Sequence, residues 1–383
     1  MELIRDSAGV VCEIRMRRPD NFHAHYRQNG MLQLMVLLFL RYGWGRVEAM
    51  PNNPFIDTGQ KAIKYRYEAM RIARANESRF NYSEFEMVPS MQITPETTPQ
   101  MVLEAWRLGV RIFKIYPRFV TTASENGVID YKALYSVFAE MERINTHVVG
   151  KEFPHPCVLS LHPEDPNENV EPFDKESAFI DNHAHDIVLR FPGLPIVFEH
   201  ISTKALVDFV KSDNAARRNI AATITPQHMI RTYADLLGYT PASNFKLQVD
   251  DFCKPVLKPR EDRDAVREAA MSGNPKFFYG GDDAPHPVGS KDCRECCAGT
   301  FNTDAGLRVC VEEFYQHKKL ENLDPFFSES GARFYSFPQN KGKITLRREP
   351  SVVPEMHVIP CDEGEARPWL AGETLPWSIT AIH

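Results

Sequence analysis

Two histidines one residue apart, His23 and His25 in RPDNFHAHYR, are the first residues of this chain whose types and spacing could do chemistry. On an extended segment, residues two apart point the same way, so both imidazoles would face one side. That spacing suits a metal ion; it also occurs in an ordinary polar turn after a strand. The same spacing recurs at His183 and His185 in FIDNHAHDIV, but there the pattern is helical and the two rings diverge by roughly 200°. Further candidates stand where apolar runs end: Lys114 in FKIYP, His162 in LSLHPED, His200 in IVFEH, and Asp282 with His286 in YGGDDAPH. A lone Lys inside an apolar strand is costly to bury charged. Its neutral amine can add carbon dioxide to give a carbamate, which is a carboxylate able to bridge two metal ions.

The elements that would position these groups follow from short β-rich runs. Eight are expected as strands: Val11 to Met16, Arg46 to Met50, Glu86 to Met91, Arg111 to Ile115, Cys157 to Leu161, Ile196 to Glu199, Ile220 to Ile224 and Lys276 to Gly280. Helical segments lie between them, opened by Asp57, by Thr97 or Thr98, by Asp130 and by Ser202 or Thr203, with two more at Phe173 to Phe191 and Pro259 to Met271. Strands alternating with helices imply a parallel sheet, and eight such units predict an α/β protein with a closed (β/α)₈ barrel of the TIM type. The candidate residues then fall at the C-terminal ends of barrel strands, where barrel active sites form. An open doubly wound sheet is the competing architecture. It should carry a Gly-rich phosphate turn, and the chain has neither GxGxxG nor GxxxxGK[ST].

After Phe301 come a helix, Asp304 to Lys318, and a Pro-rich tail with short β-like runs (KITLRR, MHVIP). Length alone would suggest two or three domains at roughly 150 residues each, but barrels often use more. The expected organisation is one domain over residues 1–383, with a barrel core at about 11–318 and a C-terminal extension at about 319–383.

Composition narrows the classes. Of 383 residues 43% are apolar, which argues against disorder, and the formal charge of -6 with dispersed Lys and Arg gives no footprint for nucleic acid. The apolar run Met31 to Leu40 is about half the ~20 residues needed to span a bilayer and is expected as a buried helix. The start, MELIRDSAGV, lacks a secretory pattern, and the eight Cys are unevenly spaced; both favour a cytoplasmic protein with reduced thiols. Cys293, Cys296 and Cys297 lack a second ligand pair for a structural zinc site.

Taken in order, RPDNFHAHYR, AMPNNP, FKIYP with the downstream TT, VFEHI, TITPQH, DDAPH, CCAGTFN and WLAGETLPWS resemble the dihydroorotases, of the shorter bacterial-type class of the amidohydrolase superfamily. The resemblance spans nearly the whole chain. It implies a zinc-dependent, reversible cyclisation of N-carbamoyl-L-aspartate to L-dihydroorotate, in a cytoplasmic homodimer of the pyrimidine pathway. It also implies two Zn²⁺ per chain: His23, His25 and Asp282 on one, His162 and His200 on the other, with carboxylated Lys114 and a hydroxide bridging them. Asp282 would shuttle the proton. Asp282 and Asp283 face opposite ways on a strand, and the family's Gly-x-Asp-x-Ala-Pro-His pattern selects the former. The bridging charges sum to about one positive charge for an oxyanion, which amide hydrolysis requires.

For the small anionic substrate the resemblance implies Arg27, Asn52 and His286 as a carboxylate clamp, Thr121 and Thr122 on a covering loop, and Ala298 as a backbone contact. Lys254 falls where the family offers a Leu backbone to the ring. The chain departs from the family pattern at Gln28, Pro163 and Gly281, and more broadly from Met229 to Lys254, where LQVDDFCKP replaces a run usually reading RPHLYCLP. The alternatives are another cyclic amidohydrolase, of the hydantoinase or dihydropyrimidinase type, and a catalytically silent scaffold relative. Such relatives usually lose metal ligands, whereas all six are present here.

Overall fold

Short runs rich in β-branched and aromatic residues pair in chain order in the computed structural model, which describes residues 1–80, 84–148, 155–212 and 219–383. The runs are Asp20–Ala24, Arg46–Ala49, Glu86–Ile93, Ile112–Ile115, Val158–Leu161, Ile196–Phe198, Ile220–Ile224 and Phe277–Tyr279. Among the described residues they form one eight-stranded sheet, every neighbouring pair parallel. The chain just past Tyr279 completes the ring: Asp282 N–H donates to His23 O at 2.9 Å, and His25 N–H donates to Asp283 O at 2.7 Å. The result is a nearly closed β/α barrel.

Its first strand is not the one expected. Val11–Arg17 pairs antiparallel with Glu2–Arg5 and with Lys343–Arg347, which in turn pairs with Ser378–Ile382. The run thus belongs to a separate four-stranded sheet that ties the tail to the N-terminus. The physical reason is readable in hindsight. VCEIRMR is apolar on one face only, as a half-exposed strand should be, while DNFHA is buried throughout although polar, because its polar side chains meet buried partners: Arg46 for Asp20, Asp283 for Asn21 and Glu199 for His23. An apolar-run criterion selects the former and passes over the latter.

Threonines open several of the helices. Thr58, Thr98 and Thr203 accept backbone N–H groups at the starts of Gly59–Ala75, Pro99–Arg107 and Lys204–Lys211. Asp57, expected to open the first, instead pairs with Lys61 at 2.6 Å. The segment read as one helix from Phe173 to Phe191 is interrupted by a wide π turn, Ile180–Ala184. Met31 to Leu40 lies in the helix Asn29–Arg41, largely buried against the barrel core. No helix among the described residues is long and apolar enough to cross a membrane.

The barrel interior is layered. At the bottom Phe22, Val88, Ile112, Val158, Val197, Ala221 and Phe278 form an apolar cluster plugged by Tyr335 and Phe337. Gly331 admits this plug: a Cβ there would lie 2.3 Å from the Phe22 ring. Two residues further along the strands, on the same face, come Ser90, Lys114, Ser160, Glu199 and Thr223, all buried. This polar layer carries the functional end of the barrel. The C-terminal tail reaches that end too: Trp369 Nε1 donates to Asp251 at 2.6 Å, and Arg367 pairs with Asp250 and Asp292.

Candidate metal centre and pocket

The segment after the first barrel strand and the turn after the last bring three expected ligands together. His23 Nε2 lies 3.3 Å and His25 Nε2 3.2 Å from Asp282 Oδ1, and one ligand atom from each of the three falls within 4.8 Å of the others. His200 and His162 extend the group: the His23 and His200 ring centroids are 4.8 Å apart, those of His162 and His200 4.6 Å. All four imidazoles are held below their ordinary pKa, foremost by burial. They are neutral near pH 7 and offer lone pairs. Beneath them Lys114 is fully buried, and desolvation brings its amine down to about 8 against the pull of Glu199 and Glu48.

Four buried atoms here, His23 Nε2, His25 Nδ1, His200 Nδ1 and Lys114 Nζ, have no hydrogen-bond partner in the structure. Native interiors rarely leave such groups unsatisfied without an ion, a water or a chemical role. Imidazole nitrogens with a carboxylate and an amine able to become one are a donor set that fits divalent metal ions. Backbone strain marks the same place: Arg27, His200 and Asp282 have φ of 60°, 40° and 50°. Left-handed conformations at non-glycine residues cost of order 1–3 kcal/mol and cluster at functional sites.

Two acids missed in the sequence reading hold the imidazoles. His23 Nδ1 lies 2.9 Å from Glu199 Oε2, and His162 Nε2 lies 2.6 Å from Glu164 Oε2. Their signal was position: Glu199 directly precedes His200, and Glu164 follows His162 by two. Asp283, by contrast, turns away from the centre, accepting from Asn21 Nδ2 at 2.9 Å and Thr303 Oγ1 at 2.6 Å. Burial pushes its carboxyl up to about 7. The two aspartates do face opposite ways, but the turn past Phe277–Tyr279 separates them, with Asp282 at φ 50°, and not strand alternation.

The pocket above the centre is lined by Arg27, Asn52, Thr121, Thr122, Lys254 and Ala298 together with His23, His25, His162, His200 and Asp282. Tyr116, Ala284 and Gly299 complete it and were not anticipated. Arg27 is buried; its Nε donates to Pro285 O at 3.1 Å, while Nη1 has no partner. Asn52 Nδ2 donates to Thr122 O at 3.0 Å, and Thr122 Oγ1 donates to Ala298 O at 3.3 Å, so the covering loop is latched to the far wall. His286 stands behind Arg27 rather than in the wall, its Nε2 3.2 Å from Arg27 Nη2 and 3.1 Å from Ala298 O. Lys254 lines both this pocket and the neighbouring groove beside Phe119.

The remaining candidates separate from the site. His183 Nε2 faces Asp165 at 3.4 Å and His185 packs on Phe209, as helical spacing requires. All eight cysteines are free, and among the described residues His23, His25 and Asp282 form the one group of three or more His, Cys, Asp or Glu close enough to hold a metal ion.

No family model matches the chain. Over 370 residues, 96% of this chain and 99% of the relative, it is 35% identical to a curated protein of Marinomonas sp. (strain MWYL1) named dihydroorotase. In structure it is similar to dihydroorotase from Saccharomyces cerevisiae, solved in complex with 5-fluoroorotic acid, with a TM-score of 0.82 and 29% identity, covering 97% of this chain and 99% of that one. An L-hydantoinase (dihydropyrimidinase) from Arthrobacter aurescens follows at a TM-score of 0.72, covering 97% and 84%. Its 13% identity speaks for a shared fold alone.

Proposed function

The chain belongs to the dihydroorotase family, and from that premise we propose that its barrel-end centre interconverts N-carbamoyl-L-aspartate and L-dihydroorotate with two zinc ions. His23, His25 and Asp282 would hold one ion, His162 and His200 the other, and Lys114, carboxylated on its buried amine, would bridge them. The observation that carries this reading is the convergence of His23, His25 and Asp282 within 4.8 Å, above a Lys amine that has no hydrogen-bond partner. The ions, when bound, supply Lewis acidity at the scissile carbonyl and lower the pKa of a water toward neutrality.

The chain's own residues do the rest. Asp282 accepts the proton of the attacking water and delivers it to the leaving ring nitrogen; in the biosynthetic direction it takes the ureido proton as that nitrogen attacks. Burial raises the Asp282 carboxyl above its ordinary pKa, which moves it toward the range where it can exchange a proton. Arg27, through the unpartnered Nη1, grips the substrate carboxylate with a charge-assisted bond. His286 braces Arg27 from behind, and because burial and Arg27 push its pKa down to about 3 it stays neutral beside the guanidinium. Asn52, Lys254 and the Ala298 backbone frame the ring, while Thr121 and Thr122 close over it and exclude water.

A cation aimed into the pocket favours an anionic ring substrate over the neutral rings of hydantoinases. We carry over from the family a cytoplasmic homodimer that works as a single barrel unit over residues 1–383. The reading is tested by zinc analysis of the purified protein together with assays of dihydroorotate at alkaline pH and carbamoyl aspartate at acidic pH. About two zinc ions per chain and turnover in both directions are expected; absence of turnover with either substrate defeats it.

A further inference from the structure

Glu199 lies in the polar layer beneath the pocket, fully buried, and is reached by three donors, two from the strands on either side of its own and one, His23, from across the barrel. Ser160 Oγ donates to its Oε1 at 2.6 Å; Thr223 Oγ1 at 2.6 Å and His23 Nδ1 at 2.9 Å meet at its Oε2. A carboxylate with this company accepts only. His23 must then carry its hydrogen on Nδ1, which leaves the Nε2 lone pair bare on the Asp282 side, where the structure gives it no hydrogen-bond partner. Thr223 has spent its one hydrogen on Glu199, so its lone pair is free to accept, and it accepts the backbone N–H of His200 at 2.6 Å. That bond fixes a residue whose φ of 40° would otherwise be unfavourable.

One carboxylate thus reaches a proposed ligand of each ion: His23 directly, and His200 through Thr223. The comparison with Glu48 is instructive. It is buried at a similar depth and feels Lys114 and Glu199, yet neither of its oxygens has a hydrogen-bond partner. Burial in the layer is therefore not what distinguishes Glu199; its three directed bonds are.

We propose that Glu199 is a positioning residue that couples the two halves of the metal centre, setting the tautomer of His23 and, through Thr223, the backbone stance of His200. The proposal rests on the two-metal reading above. Glutamine at this position can keep its one oxygen on His23 and Thr223 only if its NH₂ turns to Ser160 and that hydroxyl reverses to accept, and it removes the carboxylate charge that holds the hydrogen on His23 Nδ1.

The test compares wild-type enzyme with Glu199→Gln and Thr223→Val, measuring zinc affinity by chelator competition, the cobalt(II) absorption spectrum, and kcat and KM for dihydroorotate. Loss of such an outer partner of a ligating His weakens metal affinity by about 10- to 100-fold. We expect that loss in Glu199→Gln, with a changed cobalt spectrum, a similar fall in kcat and a KM within about threefold of wild type; Thr223→Val moves the same way by less. A purely structural role would lower the melting temperature and leave the cobalt spectrum of the folded protein unchanged. Wild-type zinc affinity and cobalt spectrum in Glu199→Gln overturn the proposal. Should that variant not fold, the same result in Thr223→Val overturns it. Failure of the metal-centre reading itself is distinct: the wild-type protein would then hold no metal.

Discussion

The tripeptide His-Ala-His occurs twice, at residues 23–25 and 183–185, and the two copies end in different surroundings. In the first copy the backbone is extended, the ring centroids stand 5.6 Å apart, and both rings reach Asp282. In the second a π turn passes into a helix, so His183 lies against Asp165 and Tyr131 while His185 meets Phe209. The central Ala is fully buried in both. Identical residues at identical spacing therefore acquire a metal-like geometry only where a strand presents them to a shared cavity. The element, and what other elements aim at the same point, decides.

The sharpest way to break this comparison is to delete each histidine. His23→Ala and His25→Ala are expected to lose zinc and to lower kcat/KM by ~10³-fold or more, since the chemistry is assigned to the ions they are proposed to hold. His183→Ala and His185→Ala should keep their zinc and their kcat within about twofold, showing instead a lower melting temperature. Equal losses in the two pairs would mean that the cluster at Asp282 is not the catalytic centre. The neighbouring aspartates sharpen the same point within one turn. Asp282→Asn should reduce kcat by roughly 10²- to 10⁴-fold, the usual worth of a positioned acid–base group. Asp283→Asn disturbs bonds to Asn21 and Thr303 and should cost about 1–3 kcal/mol of stability, read by urea denaturation, with kcat little changed.

Much of this contrast was legible beforehand, and the failures have physical reasons. The strands ending in Lys114, His162, His200 and Asp282 are flanked by apolar residues that cover the barrel wall, so period and composition revealed them. The strand bearing His23 was missed as an element, since Asp20, Asn21 and His23 spend their polarity on buried partners, and the apolar alternation of Val11–Arg17 took its place in the count. The histidines were nevertheless placed correctly at a strand end, because the true strand follows the false one within three residues. Glu199 and Glu164 stayed invisible for another reason. Whether an acid beside a histidine serves it or faces water depends on pairing across strands, which spacing along one strand does not encode.

Arg27 stands two residues beyond the first pair, where the backbone has left the extended conformation (φ 60°), and tests whether the same segment also builds the substrate clamp. Arg27→Met is expected to raise KM for dihydroorotate and carbamoyl aspartate by about 10- to 100-fold, the worth of a charge-assisted bond to a carboxylate, while zinc content stays at the wild-type level. An unchanged KM would remove the clamp and with it the preference for an anionic ring. Arg27→Lys should recover only part of the loss, since a point charge does not reproduce the planar fork.

A smaller effect probes a histidine carried by a helix close to the site. His228, on Pro226–Ile230, is buried; its Nδ1 lies 2.7 Å from Thr225 Oγ1, and its Nε2 lies 2.9 Å from Pro255 O, one residue past Lys254. Only a ring with its hydrogen on Nε2 satisfies both contacts, with Nε2–H donating to the carbonyl and Nδ1 accepting from the hydroxyl. Burial brings its pKa down to about 4 from the ordinary 6.5. Between those values the unfolded chain binds a proton that the folded protein refuses, so stability falls as pH drops from 6.5 toward 4 and is fully present above 6.5. The contribution lost between pH 7 and pH 5 is about 2 kcal/mol. His228→Gln can make both contacts without titrating, so its urea midpoint should fall less than that of wild type over this interval. Acid effects on the other histidines act on both proteins and cancel in the difference. Parallel losses in the two proteins would show that His228 is already protonated in the fold, and that this helix-borne ring, unlike the strand-borne pair, is not held as a neutral acceptor.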